Sequence, residues 1–345
     1  MTARTERLCY NARMPKKEEQ PQRASPRHGL RAVAVAALVV CAALLLRRTS
    51  AAEEKHVCRW PVMGTVAQLT VRADAARSQQ LLPAVQSAYL RLDALLSAWN
   101  PDSELSRLAA AHCTNWVAAA SPEVRPCYAA ALELAARSGN AFDPRVGARL
   151  RELGVSGGAT YSDFDLGAIA KGFAVDVAAA DLSRAAGTNA LPSLLLDLGG
   201  NLRIVGDGVW RTGVRNPFDR NGPHAAVIAL TNGESVATSG NYERFIERDG
   251  IRYSHILDGR TGEPVHGIAG VTVVTPPDYG ALLADGLSTT LFVLGPAEGA
   301  AFLARFYPRA LALWIPDAPD APRLVATKNM AARLEHAAWT VETAR

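Results

Sequence analysis

The stretch "SLLLDLGGNLRIVG" (Ser193–Gly206) decides the fold class. A short leucine-rich run, a Gly-Gly-Asn turn and a second apolar run specify two antiparallel strands joined by a tight turn. Downstream, "HAAVIALTNGESVATSG" sets more strands around an Asn-Gly turn, and "YSHILDGRTGEPV" runs a strand into a turn. "AGVTVVTP" reads as a buried strand, and "ALALWIPD" and "RLVAT" as final strands. Upstream, "MGTVAQLTVRA" (63–73) alternates and is β-branched, again a strand. "SQQLLPAVQSAYLRLDALLSAW" (78–99) has apolar residues three and four apart, the pattern of an amphipathic helix. In "NPDSELSRL" (100–108) a turn leads into a helix start, where Asp102 or Ser103 can accept from free N–H groups. A helix is expected over about 121–138, and "DFDLGAIAKGFAVDVAAADLSRA" (163–185) runs a Gly-containing loop into another. Hairpins mixed with helices, without regular strand–helix alternation, predict an α+β fold rather than a doubly wound sheet.

Composition narrows the class. The chain has 345 residues, 49% hydrophobic and 20% charged, enough for a large core and unlike a disordered chain or a coiled coil. Residues 1–31 form a basic segment with eight Lys/Arg against three Asp/Glu. An uncharged apolar run of 15 residues, Ala32 to Leu46, follows and ends at Arg47 and Arg48. A basic flank before so short an apolar run predicts a signal or anchor over 32–50, since a full span needs about 20 residues. The body, expected over 51–335, would then be exported to the periplasmic face of the inner membrane, with the leader cleaved or kept as an anchor. The whole chain is +4, but from Thr49 onward it is −3, so the basic balance belongs to the leader and nucleic-acid binding is not indicated. Cys58, Cys113 and Cys127 contain no CxxC pair, which argues against zinc; Cys113 and Cys127 are candidates for a disulfide in an oxidising compartment.

Several segments hold chemistry-bearing residues. "YGALLADGLSTTLFVLGP" (279–296) is an apolar helix with a stop at Gly295 and Pro296. On a helix Asp285, Ser288 and Thr289 share one face, a hard-oxygen cluster of the kind magnesium prefers. The alternative is that Ser288 and Thr289 bond back to helix carbonyls while Asp285 faces water. "DLGAIAKG" (165–172) is no P-loop, but it offers a helix start and Lys171 to a phosphate. "AFDP" (141–144) reads as an Asp-Pro turn, and "TSGNYERF" (238–245) has small residues, Tyr242 and Arg244 that can line a cleft. His255 lies beside Asp258 and Arg260, and near a phosphate it could act as a general base. No HExxH or GxGxxG pattern occurs.

The order of these segments is more specific than any one of them. "MGT", "SAWNPDSELSRL", "AFDP", "DLGAIAKGFAVD", "DLGGN", "ATSGNYERF", "YSHILDGRTGEPV" and "ADGLSTTLFVLG" together resemble the ApbE family, the FAD:protein FMN transferases, over about residues 58–330. The resemblance implies an α+β, T-fold-like body of mixed sheets with packed helices. It also implies a Mg2+-dependent enzyme that takes FAD as substrate and moves FMN to a Thr or Ser hydroxyl of an acceptor flavoprotein of the respiratory redox type, releasing AMP. By motif, Met63, Trp99, Ala141, Phe142, Asp143, Asp165, Lys171 and Leu257 would contact FAD. Asp285, Thr289, Ser288 and the Ala168 carbonyl would hold the metal, with His255 and Asp285 catalytic. Trp99 stands where the family often has Tyr, Gly259 where it commonly has Pro, and "SRLAA" lacks a frequent Asn. Magnesium-dependent hydrolysis of FAD to FMN and AMP, or flavin binding without turnover, are the alternatives.

Overall fold

The computed structural model describes residues 55–154, 162–187, 189–219, 221–242, 245–248 and 251–344. The leader expected over 1–50, and Arg244, lie outside them. The strands are β1 (Lys55–Val62), β2 (Thr65–Arg72), β3 (Leu194–Leu198), β4 (Asn201–Val205), β5 (Trp210–Val214), β6 (Ala226–Leu230), β7 (Ser235–Gly240) and β8 (Phe245–Arg248). They continue as β9 (Ile251–Ser254), β10 (Leu257–Asp258), β11 (Glu263–Pro264), β12 (Ile268–Thr275), β13 (Leu311–Pro316), β14 (Leu324–Ala326), β15 (Leu334–Ala337) and β16 (Val341–Thr343). The helices are α1 (Ala75–Leu96), α2 (Glu104–Ala110), α3 (Trp116–Ala119), α4 (Arg125–Arg137), α5 (Gly147–Glu152), α6 (Ala170–Ala186), α7 (Gly280–Phe306) and α8 (Lys328–Ala331).

Nine strands build the main sheet in the order β1-β2-β3-β4-β7-β12-β13-β14-β16. One face buries its side chains against α1, α6 and α7; Leu69, Leu196, Val271 and Trp314 point that way. The other face carries Ile204, Val236, Leu313 and Ile315 into a second core under the small sheet β15-β6-β5. β13 is therefore buried on both faces, which is why "LALWIP" is apolar without alternation. From Glu54 onward the chain forms one compact unit. The boundary expected at residue 335 falls within β15, and β16 beyond it pairs parallel with β14.

The deciding hairpin has the expected form. β3 pairs antiparallel with β4 from Leu194↔Val205 to Leu198↔Asn201. Gly199 (φ 60°) and Gly200 (φ 87°) form the two-residue loop, left-handed at both positions as a twisted hairpin requires. β1 and β2 repeat the device around Met63 (φ 50°) and Gly64 (φ 66°). Here the strand read from residue 63 starts at Thr65, and β1 is added before it.

Strands flank the Asn232–Gly233 turn as read, but β6 belongs to the small sheet and β7 to the main one, so the turn carries the chain between layers. The regular helix stops at Gly295 as read, and α7 is two helical stretches joined across that kink. Gly295 (φ 70°, ψ −178°) breaks its regular geometry, and Pro296 restarts it, where a missing N–H does no harm. Finally, Cys58, Cys113 and Cys127 are all free thiols, with Cys127 buried on α4.

Candidate active site

The first turns of α6 and α7 lie side by side and run in opposite directions. Gly172 makes this approach feasible: a Cβ there would sit 2.1 Å from the Ala281 carbonyl oxygen and 2.7 Å from Asp285 Cβ. Each helix lacks a side-chain cap of its own and takes one from the other. Asp176 of α6 accepts from the N–H groups of Ala281 and Leu282, both at 2.8 Å. Asp285 of α7 accepts from the N–H of Gly172 at 2.9 Å.

Asp285 is 5% exposed. Withdrawing a carboxylate from water costs several kcal/mol, and a helix N-terminus returns at most about 2 kcal/mol. The nearest cation, Lys171 Nζ, stands 3.6 Å from Oδ2 and donates to the Gly167 carbonyl at 2.5 Å instead. Burial accordingly pushes the Asp285 carboxyl above its usual range, against the pull of Lys171 and the Gly172 N–H. Ala168 precedes the Ile169 N-cap of α6, so its carbonyl lies outside the helix ladder, and the Gly172 N–H is one of the free first-turn donors that Asp285 takes up.

The hydroxyls of α7 divide. Ser288 is fully buried and donates to the Asp285 carbonyl oxygen at 2.8 Å. Its oxygen also lies 2.7 Å from Ser239 Oγ on β7. Thr289 is half-buried, with Oγ1 3.1 Å from the same Ser239 Oγ. Ser288 thus follows the back-bonded pattern that competes with the shared-face reading, while Thr289 makes no such bond to α7 among the described hydrogen bonds. Among the described residues no three His, Cys, Asp or Glu side chains converge. The donors on hand are one carboxylate, one threonine hydroxyl and one backbone carbonyl, a set that suits a hard cation such as Mg2+.

Asp165, the 141–144 segment and the turn with His255 and Leu257 are joined by hydrogen bonds to the loop before α6. Asp165 accepts from the Gly167 N–H at 2.6 Å, shaping the loop that holds Lys171. Its own N–H donates to the Pro144 carbonyl at 2.6 Å, bringing in the "AFDP" segment. There Ala141 and Phe142 are buried, and Asp143 takes a bidentate contact from Arg145, at 2.7 Å from Nε and 2.9 Å from Nη2. The Ala141 carbonyl accepts from Gly259 N–H at 3.2 Å, which adds the 254–264 turn with half-buried His255 and buried Leu257. Gly259 is required there, because a Cβ would meet the Asn140 carbonyl oxygen at 2.4 Å. Arg260 beside Asp258 holds that carboxyl below its usual range and stiffens the turn. Met63 and Trp99 sit at the C-terminal end of α1. The Met63 N–H donates to Asp93 at 3.3 Å, and its positive φ stores about 1–2 kcal/mol. Trp99 is 46% exposed, an open ring face suited to stacking on a flat heterocycle. Of the two caps expected for α2, Ser103 is used, accepting from Ser106 N–H at 3.0 Å.

Sequence reasoning missed Ser239, Asp176 and Asp93. Ser239 was visible only as a small residue of "TSGNYERF", and its partners are 49 and 50 positions away.

The mixed sheets and packed helices define an α+β protein with a buried carboxylate beside a lysine-bearing loop. A sequence model of the ApbE family matches residues 63–163 and 159–314. The chain belongs to the ApbE family. An FAD:protein FMN transferase of Rhodobacter capsulatus is 31% identical over 79% of this chain, which spans 57% of that relative's length. One of Treponema pallidum is 33% identical over 71% of this chain and 80% of its own. The crystal structure of an ApbE protein from Thermotoga maritima superposes with a TM-score of 0.70 at 25% identity, covering 82% of this chain and all of that one. The apo flavinyl transferase ApbE of Pseudomonas stutzeri gives 0.64 at 26% identity over 82% and 98%.

Proposed function

We propose that the protein transfers FMN from FAD to a Thr or Ser hydroxyl of an acceptor flavoprotein, releasing AMP. The observation that carries this reading is the buried Asp285 carboxylate, held at a helix N-terminus with its lysine 3.6 Å away. Such a group lacks a close cation partner and fits a ligand set for Mg2+ with Thr289 and the Ala168 carbonyl. When bound there, Mg2+ would neutralise charge on the FAD pyrophosphate.

The chain's own residues supply the rest. Lys171 adds positive charge on the same side as the leaving phosphate. Met63, Trp99, the Ala141–Asp143 segment, Asp165 and Leu257 hold the nucleotide, which fixes the phosphorus in line with the incoming oxygen. His255 takes the proton of the acceptor hydroxyl. The new bond joins that oxygen to the FMN phosphorus; the bond to the AMP phosphate breaks, and AMP leaves with the electron pair. The basic flank and apolar run of the N-terminal segment support a site of action at the periplasmic face of the inner membrane, with respiratory flavoproteins as the acceptors.

The test mixes purified protein with FAD, Mg2+ and a respiratory flavoprotein carrying a Thr/Ser flavinylation motif. Intact mass of the acceptor is then measured. A Mg2+-dependent gain of one FMN is the expected result. Free FMN and AMP beside an unmodified acceptor would replace transfer by hydrolysis.

A further inference from the structure

We propose that Ser239 is a positioning residue that presets Thr289 to receive a cation; this rests on the reading that Asp285 and Thr289 hold Mg2+. The argument is a proton inventory. Each hydroxyl has one proton to donate and lone pairs to accept. Ser288 donates its proton to the Asp285 carbonyl at 2.8 Å. In its 2.7 Å contact with Ser239 it therefore accepts, and Ser239 donates. With its proton placed, Ser239 can only accept in its 3.1 Å contact with Thr289. The proton of Thr289 is thus drawn toward β7, and its remaining lone pairs are left free for a ligand.

A cation binds lone pairs and is repelled by an O–H hydrogen turned toward it. Without the relay the Thr289 hydroxyl is free to rotate its proton toward the cation. With the relay its acceptor side is fixed before any ligand arrives, and no reorientation is needed on binding. The relay is anchored at both ends by rigid backbone. Ser239 is paired with Val271 in the centre of the main sheet, and Ser288 is buried in α7. Ser288 thereby orients the chain of hydroxyls from inside and touches no ligand.

Mg2+ binding to the purified protein, measured by titration calorimetry without FAD, tests the idea. Ser239→Ala should weaken Mg2+ about tenfold, the lower end of what loss of a group orienting a ligand causes. Ser239→Thr, which keeps the hydroxyl, should restore most of the affinity. In a Thr289→Ala background, Ser239→Ala should cause no further loss, because Ser239 acts through Thr289. A general packing defect would instead add to the Thr289→Ala effect. Wild-type affinity in Ser239→Ala, or additive losses, would overturn the proposal while leaving the cation reading intact. A wild-type protein that takes up no Mg2+ would overturn both.

Discussion

Asp176 and Asp285 occupy matching places and have opposite fates. Each is a carboxylate on one helix that caps the N-terminus of the other, and burial pushes both carboxyls upward. Asp176 is answered in full: two N–H groups at 2.8 Å and Arg203 Nη1 at 2.7 Å. Asp285 is held by the Gly172 N–H at 2.9 Å and by the backbone of Lys171, but its cation, the Lys171 ammonium, stands 3.6 Å away and donates at 2.5 Å to the Gly167 carbonyl. The first is a finished structural joint. The second is a joint left short of positive charge, beside a half-buried threonine hydroxyl. The difference teaches how to tell a binding carboxylate from a structural one: burial and helix position are shared, and the close cation partner is what separates them.

The comparison can be broken most strongly at Asp285 itself. Asp285→Ala should lower FMN transfer by about a thousandfold or more, the scale of losing a main electrostatic group, with an unchanged far-UV circular dichroism spectrum. Wild-type turnover in that variant would remove Asp285 from the site. Asp176→Asn should do the reverse. It leaves the half-buried Arg203 beside a neutral partner, so denaturant unfolding should show a loss of about 1–3 kcal/mol, while Mg2+ affinity of the folded fraction holds. Equal stability losses at the two aspartates would erase the distinction.

Gly172→Ala strikes both joints together. Its Cβ must displace the Ala281 carbonyl, so a loss of about 1–3 kcal/mol is expected, with weaker Mg2+ binding as well. The finest test is pH. A carboxyl raised by burial holds its proton more tightly in the folded chain than in the unfolded one. Its contribution to stability is full below the free carboxylate pKa, about 4, and is lost as pH rises through the raised value. Asp285→Asn, which cannot ionise, should therefore melt a few degrees higher than wild type at neutral pH without Mg2+. A 1 kcal/mol gain corresponds to roughly 2–4 °C for a domain of this size. The advantage should fade in acid, and a constant difference across pH would assign it to packing instead.

Much of this architecture can be read without coordinates, because its signals are local. Gly199 and Gly200 mark their turn by needing positive φ, and the leucines around them supply the strands. The spacing of Asp285, Ser288 and Thr289 is likewise a property of one helix. Spacing cannot say which of the two hydroxyls turns back to the helix, since that depends on Ser239 arriving from another strand. The Asn232–Gly233 turn shows the same limit: its chemistry predicts a turn, while the sheets on either side decide that no hairpin forms. Gly295 is legible as the end of the first stretch of α7, but the second helical stretch to Phe306 is not marked by the same signal. The ApbE resemblance puts the segments in order, and hydrogen bonds at Gly259, Asp165 and Asp285 tie four of them together, 141–144, 165–172, 254–264 and 280–289.

The exchange of caps between α6 and α7 has a kinetic consequence. The amides of Gly172, Ala281 and Leu282 find their carboxylate acceptors only when the two helices dock, although these capping pairs are 105 to 113 residues apart in sequence. The two helices must therefore be completed in one cooperative event, with no stable state in which one start is finished and the other frayed. Amide hydrogen exchange at Gly172, Ala281 and Leu282 should then report a single opening free energy. A cation bound at Asp285 would slow exchange at Ala281 and Leu282, on the helix start that Asp285 does not cap.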